Sequence, residues 1–176
     1  MKFGGKSLTT RNTKVVSFKR GDETINLIVA SVPRVFWDEM KSKGAYSYVK
    51  PPEKPVVLRP GVYDVDKATG MTKFKADFDD PTYIVESRKA NFRYGALRVW
   101  HGLRLDPNVE WETKAPSNDA PKEEWEKFAD ALSAEITDPV TGFEDGELEE
   151  IGKGIEACDL VTAAVVTEEE AIKNFL

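Results

Sequence analysis

One histidine and one cysteine limit the chemistry open to this 176-residue chain. Cys158, alone, can form no internal disulfide and cannot build a zinc site from paired thiolates. His101 is the sole imidazole, so a Cys-His pair or a Ser-His-Asp arrangement would have to use it. A general base needs an orienting carboxylate within reach, and the spacing singles none out. His101 falls beside Trp100 on an aromatic helical face, which favours a packed histidine; Cys158 falls on an apolar face and reads as buried and unreactive. Asp64-x-Asp66 matches the opening of a calcium loop, but Ala68 and Thr69 occupy the third-ligand and glycine positions and Lys75 replaces the bidentate glutamate. Gly4-Gly5-Lys6 lacks the first glycine and the preceding strand of a phosphate loop. Arg20-Gly21-Asp22 is turn chemistry rather than an adhesion motif. The expectation is a non-enzyme with no metal and no cofactor.

Charge is divided unevenly along the chain. Residues 1–105 carry 20 Lys and Arg against 11 Asp and Glu, and residues 106–176 carry 5 against 20, giving the net −6. The two parts can therefore attract each other within a chain or between chains, or simply present solvated faces of unequal sign. The acidic part argues against nucleic acid as the main ligand, and the basic part lacks the aromatic-and-arginine clustering of RNA binders. No run approaches the roughly 18–20 apolar residues of a membrane span, and the opening residues have no signal-peptide core. A cytoplasmic protein without a membrane partner is expected.

The elements that would position these residues follow from periodicity. Thr13–Phe18 and Thr24–Ala30 read as two strands joined by a glycine-containing turn. Arg34–Lys43 is a short helix or an irregular apolar arm, and Pro51-Pro52-Glu53-Lys54-Pro55 favours an extended strap. Short strands are expected at Val56–Leu58, Gly61–Val65 and Met71–Ala76, although this proline- and lysine-rich region can also be read as a long loop. Asp80-Pro81 then opens a helix of about 25 residues, with Tyr83, Ser87, Ala90, Tyr94, Leu97 and His101 on one face. A polar stretch over residues 114–121 precedes a helix carrying Trp125, Phe128, Leu132 and Ile136 on one side. Asp145 is placed to cap another with Leu148, Ile151, Ile155 and Cys158, which Gly152 and Gly154 weaken or open to a close neighbour. Val161–Val166 is strand-like, and Thr167–Glu170 is a capping box ahead of a last short helix.

Together these predict an α+β fold: an N-terminal antiparallel β portion packed on a long central helix, then an acidic helical portion. The division is expected at 1–113 and 114–176. The core is expected to include Val16, Phe18, Ile25, Leu27, Tyr94, Leu97, Trp100, Leu103, Trp125, Phe128 and Leu132.

A Phe-Gly-Gly-Lys opening, a hairpin, a proline-rich stretch, Asp80-Pro81-x-Tyr83 opening a basic helix that closes on Trp100-x-Gly102-Leu103, and Gly142-Phe143-x-x-Gly146-Glu147-Leu148-x-x-Ile151 follow one another in this chain. That order resembles the small tail assembly chaperones and neighbouring tail-module proteins of long-tailed bacteriophages, although the proline-rich middle is unusually long. The resemblance implies a protein of the host-cell cytoplasm that shields the tape-measure protein and helps recruit tail-tube subunits, and it brings no catalytic residues. A structural or adaptor subunit of the particle, and an acidic decoy that binds a basic partner, are the alternatives. For the partner surface the acidic helices are the candidate: Phe143, Leu148, Ile151, Ile155, Phe175 and Leu176 as apolar anchors, ringed by Glu147, Glu149 and Glu150.

Overall fold

The fold is that of a computed structural model, which describes residues 2–3, 6–7 and 12–161. Strands β1 (Lys2–Phe3) and β2 (Lys6–Ser7) form a small antiparallel pair. Alternation of Val16, Phe18, Ile25 and Leu27 with polar residues then produces the hairpin of β3 (Thr13–Arg20) and β4 (Glu23–Ala30). Val16 faces Leu27 and Arg20 faces Glu23 across it, so only Gly21 and Asp22 make the connection. Gly21 has φ +59°, the left-handed backbone that a tight hairpin of this hand requires at its first central position. Val16, Leu27 and Val29 are buried on one face, while Ser17 donates to Asn26 (2.6 Å) on the other.

Helix α1 (Arg34–Ser42) buries Phe36 and Met40, four residues apart. Gly44, φ +79°, ends it: its N–H reaches Lys41 O and that of Ala45 reaches Met40 O, the paired bonds of a Schellman stop. Helix α2 (Pro81–Gly102) begins as its sequence dictates, with the Asp80 carboxylate accepting the Tyr83 N–H at 2.8 Å and proline at the first helical position. Helices α3 (Lys122–Ile136) and α4 (Asp145–Val161) follow. Trp125, Phe128, Leu132 and Ile136 of α3, and Ile151, Ile155 and Cys158 of α4, are buried, as their spacing predicts. Residue 161, expected to open a strand, is the last residue of α4; the rest of that strand and the terminal helix with Phe175 and Leu176 lie outside the described residues.

The chain is α+β. The hairpin lies chiefly on α4, with β4 also touching α2, and α2 is flanked by α3 and α4. One core cluster runs from Val16 to Cys158 and draws on both sides of residue 113. Two glycines permit this closeness. A Cβ at Gly102 would run into the Ile155 side chain, and one at Gly154 into Val16 and Val29.

The central helix is turned from its expected face. Of Tyr83, Ser87, Ala90, Tyr94, Leu97 and His101 only Leu97 is fully buried; Tyr94 is 41% exposed, and the interior takes Arg93, Ala96 and Gly102 together with Val99, which widens the expected face. Apolar and charged residues alternate around this helix without a single apolar stripe to fix its rotation, so its neighbours choose.

Residues 47–80 form an arm. Strand β5 (Glu53–Pro55) pairs with β8 (Phe74–Ala76), and β6 (Val57–Arg59) with β7 (Val62–Tyr63), while Val65 bridges Thr72. Gly61 and Gly70, both with positive φ, sit at its turns. Asp66 accepts the N–H groups of Ala68 and Thr69, the turn chemistry expected of the failed calcium motif. The proline strap is corrected in part, because Glu53–Pro55 is a paired strand; Pro55 is its last residue, where a missing N–H is tolerated.

Candidate protein-binding surface

The acidic-helix anchors are for the most part not at the surface. Ile151 and Ile155 are 0% exposed inside the core, and Leu148 is half-buried against it. Phe143 packs edge-on against Phe18, with ring centroids 6.4 Å apart. Glu147, 6% exposed, is bound from two directions. Its carboxylate accepts Nε and Nη2 of Arg20 at 2.7 and 2.6 Å, and it also accepts the Glu144 N–H at 2.9 Å. The latter is the return bond of a capping box, which makes Glu144, one residue before the expected Asp145, the position that opens α4. Arg20 adds a bond to Gly142 O (2.5 Å) and lies over the Phe143 ring. The guanidinium holds the Glu147 carboxyl below its ordinary range, against the opposing effect of burial. Among the described candidates Glu149 and Glu150 are the exposed ones, and both pair with Lys153. The physical reason is packing: α4 lies against β3 and β4, and its apolar stripe is covered by the hairpin.

A second clasp joins α2 to α3. Arg93, buried, donates Nε and Nη2 to the two Asp130 oxygens at 2.6 and 2.7 Å, and Lys89 stands 3.6 Å from the same carboxylate. This pairing depresses the Asp130 pKa. Asp106, also buried, accepts the Ile28 N–H of β4 and the Asn108 N–H, tying the hairpin to the turn after α2. His101 is stacked on Phe36 with centroids 4.0 Å apart. The Cys158 thiol, aimed at Val29 O, is raised in pKa by burial. Among the described residues no group of three or more His, Cys, Asp or Glu side chains is placed to share a metal ion, and no helix is long and apolar enough to cross a membrane.

Exposed apolar surface lies elsewhere. Among the described residues 17 large apolar side chains are exposed, and 13 of them fall between Tyr48 and Tyr94. They include Leu58, Tyr63, Met71, Phe74 and Phe78 on the arm, and Ile84, Val85 and Phe92 on the outer half of α2. Between Tyr46 and Ala96 no apolar residue belongs to the core cluster, although Arg93 is buried and Tyr94 stacks on Trp37 with centroids 4.2 Å apart. Three open grooves follow this surface. One of 470 Å³ runs between Tyr48 and Phe74 with Phe78, and one of 310 Å³ lies between the 46–49 segment and Tyr83, Ser87 and Tyr94. The third, of 460 Å³, separates Phe92 and Val85 from Ala134 of α3. Sequence reading missed this surface, because alternation in short strands predicts one buried face without saying whether anything is there to bury it. The available signal was the density of Val, Leu, Tyr, Met and Phe between Pro55 and Asp80 in a region that otherwise reads as a loop.

The class these features define is an α+β protein with a projecting apolar arm. Compared with protein-family models, with curated proteins and with solved structures, the chain matches none.

Proposed function

We propose that this chain is a non-catalytic assembly protein whose working surface is the arm and the outer half of α2. The observation that carries the reading is the concentration of exposed apolar side chains between Tyr48 and Tyr94, a segment that contributes no apolar residue to the core cluster. Monomeric proteins seldom expose more than about 300–600 Å² in one apolar patch, and larger exposures mark interaction sites. In its most specific form the reading is the one the feature order suggests: a cytoplasmic factor or subunit of a phage tail module, with a tape-measure or tail-tube protein as its partner. A permanent place in the particle suits a long apolar arm better than transient shielding does, because such an arm is costly to leave uncovered after release.

The test is co-purification of the full chain from its native setting, in parallel with a Phe74→Glu/Phe78→Glu variant. A tail-module protein should be retained by the first and lost by the second, and mass spectrometry of purified particles should then find the chain itself. Equal retention by both would remove the arm from the function.

A further inference from the structure

We propose that the arm is covered by the same arm of a second copy of this chain, making the working unit a symmetric dimer. The proposal rests on the reading of the arm as the protein-binding surface, and names its occupant.

Three observations support it. The first is area. Thirteen side chains exposed by 37–77% amount to on the order of 1,000 Å² of mainly apolar surface. A stable interface takes about 800 Å² from each partner.

The second is charge. A two-fold interface presses a patch against itself, so a patch of net charge would repel its own copy. Residues 47–92 hold 8 basic and 7 acidic side chains, whereas the rest of the chain holds 17 and 24. The arm's charges are also neutralised locally, with Lys54 on Asp77 at 2.6 Å and Lys73 on Asp64 at 3.1 Å. A surface built for a strongly basic or acidic partner would carry the opposite net charge. This one is balanced, as self-docking requires.

The third is the arm's own marginal stability. A two-stranded ribbon seldom holds in water without a packed face, and β5–β8 and β6–β7 are two such ribbons with no part in the core. A second arm supplies that face. It also offers strand edges to the open edges already present.

Sedimentation velocity and light scattering on the full chain, at tens of micromolar and below, test this directly. The wild type should run as a dimer. Phe74→Glu/Phe78→Glu should raise its Kd by about a hundredfold or more while the core still unfolds cooperatively, since neither residue belongs to the core cluster, with the midpoint falling only by what the lost association contributed. Because the contact is apolar and balanced, Kd should change less than about tenfold between low and high salt. A wild type that stays monomeric overturns the proposal, as does a dimer that survives the variant. A steeply salt-sensitive dimer overturns it too, since that is the mark of head-to-tail contact between basic and acidic parts. If the chain is monomeric yet the same variant still loses a tail-module protein on co-purification, the second copy is ruled out and the assembly reading stands. If that protein is retained regardless, both fall.

Discussion

Gly152 and Gly154 stand two residues apart in α4 and should respond to alanine with opposite signs. Around Gly152 there is open space, so a methyl group meets nothing, and the change removes only the cost of glycine in a helix. That gain is about 0.5–1 kcal/mol. At Gly154 the same methyl would overlap Val16 Cγ2 and lie 3.0 Å from Val29 Cγ2. Both valines are β-branched, with few alternative rotamers, and both are held in the register of the β3–β4 hairpin. Overpacking of this kind costs about 1–3 kcal/mol, and so severe an overlap belongs toward the upper end. Net of the helix gain, Gly154→Ala should lose about 1–2 kcal/mol. For a chain of this length that is a fall of roughly 2–8 °C in midpoint by scanning calorimetry, against a rise of about 1–4 °C for Gly152→Ala. Val16→Ala introduced with Gly154→Ala should recover part of the loss, and the double-mutant cycle would report that coupling. If Gly154→Ala proves as stable as Gly152→Ala, the hairpin is not seated on α4 at this point.

Arg93→Ala should destabilise by about 1–2 kcal/mol in urea unfolding, less than a fully buried pair would cost because Asp130 keeps partial contact with water. The Glu147 and Asp130 carboxyls are both held below their ordinary pKa, so their contribution is complete above the unfolded carboxylate range and is lost as pH falls through the lower folded values. Stability should therefore drop below about pH 4, and Glu147→Gln with Asp130→Asn should flatten that slope in a pH series of denaturant midpoints. Replacing residues 54–75 by a short glycine-containing turn, which Glu53 and Ala76 permit as directly paired neighbours, should move the calorimetric midpoint by less than about 4 °C. Loss of cooperative unfolding would show that the arm is part of the core.

Local signals were the legible part of this fold. The β3–β4 alternation, the Asp80-Pro81 start of α2 and the three-four-four spacing of α3 each depend on neighbours close in sequence, and each element formed where its residues indicate. What escaped depends on distant partners. Nothing near Arg20 announces that it will meet Glu147, 127 residues away, and an isolated glutamate in an acidic helix looks like a solvated one. The rotation of α2 escaped for a related reason, since Tyr94 and Ala96 are both compatible with an interior position and only the approach of α3 and α4 separates them. Of the expected partner surface, Ile151 and Ile155 are fully buried in the chain's own core: an apolar stripe states that something covers it, not whether that cover is the same chain.

The uneven charge along the chain takes on a different meaning in this light. A basic part and an acidic part suggest two addresses for two partners, but the closest cross-pairs are internal: Arg20 with Glu147, and Arg93 and Lys89 with Asp130. Each joins an element of the basic part to a helix of the acidic part. Buried as Arg93 and Glu147 are, these pairs fix orientation more than they add stability, since desolvation offsets much of the attraction. These pairs seat α4 on the hairpin and α3 on α2. The near-neutral arm lies outside them, so the proposed recruitment of a partner there would rest on apolar contact rather than on charge.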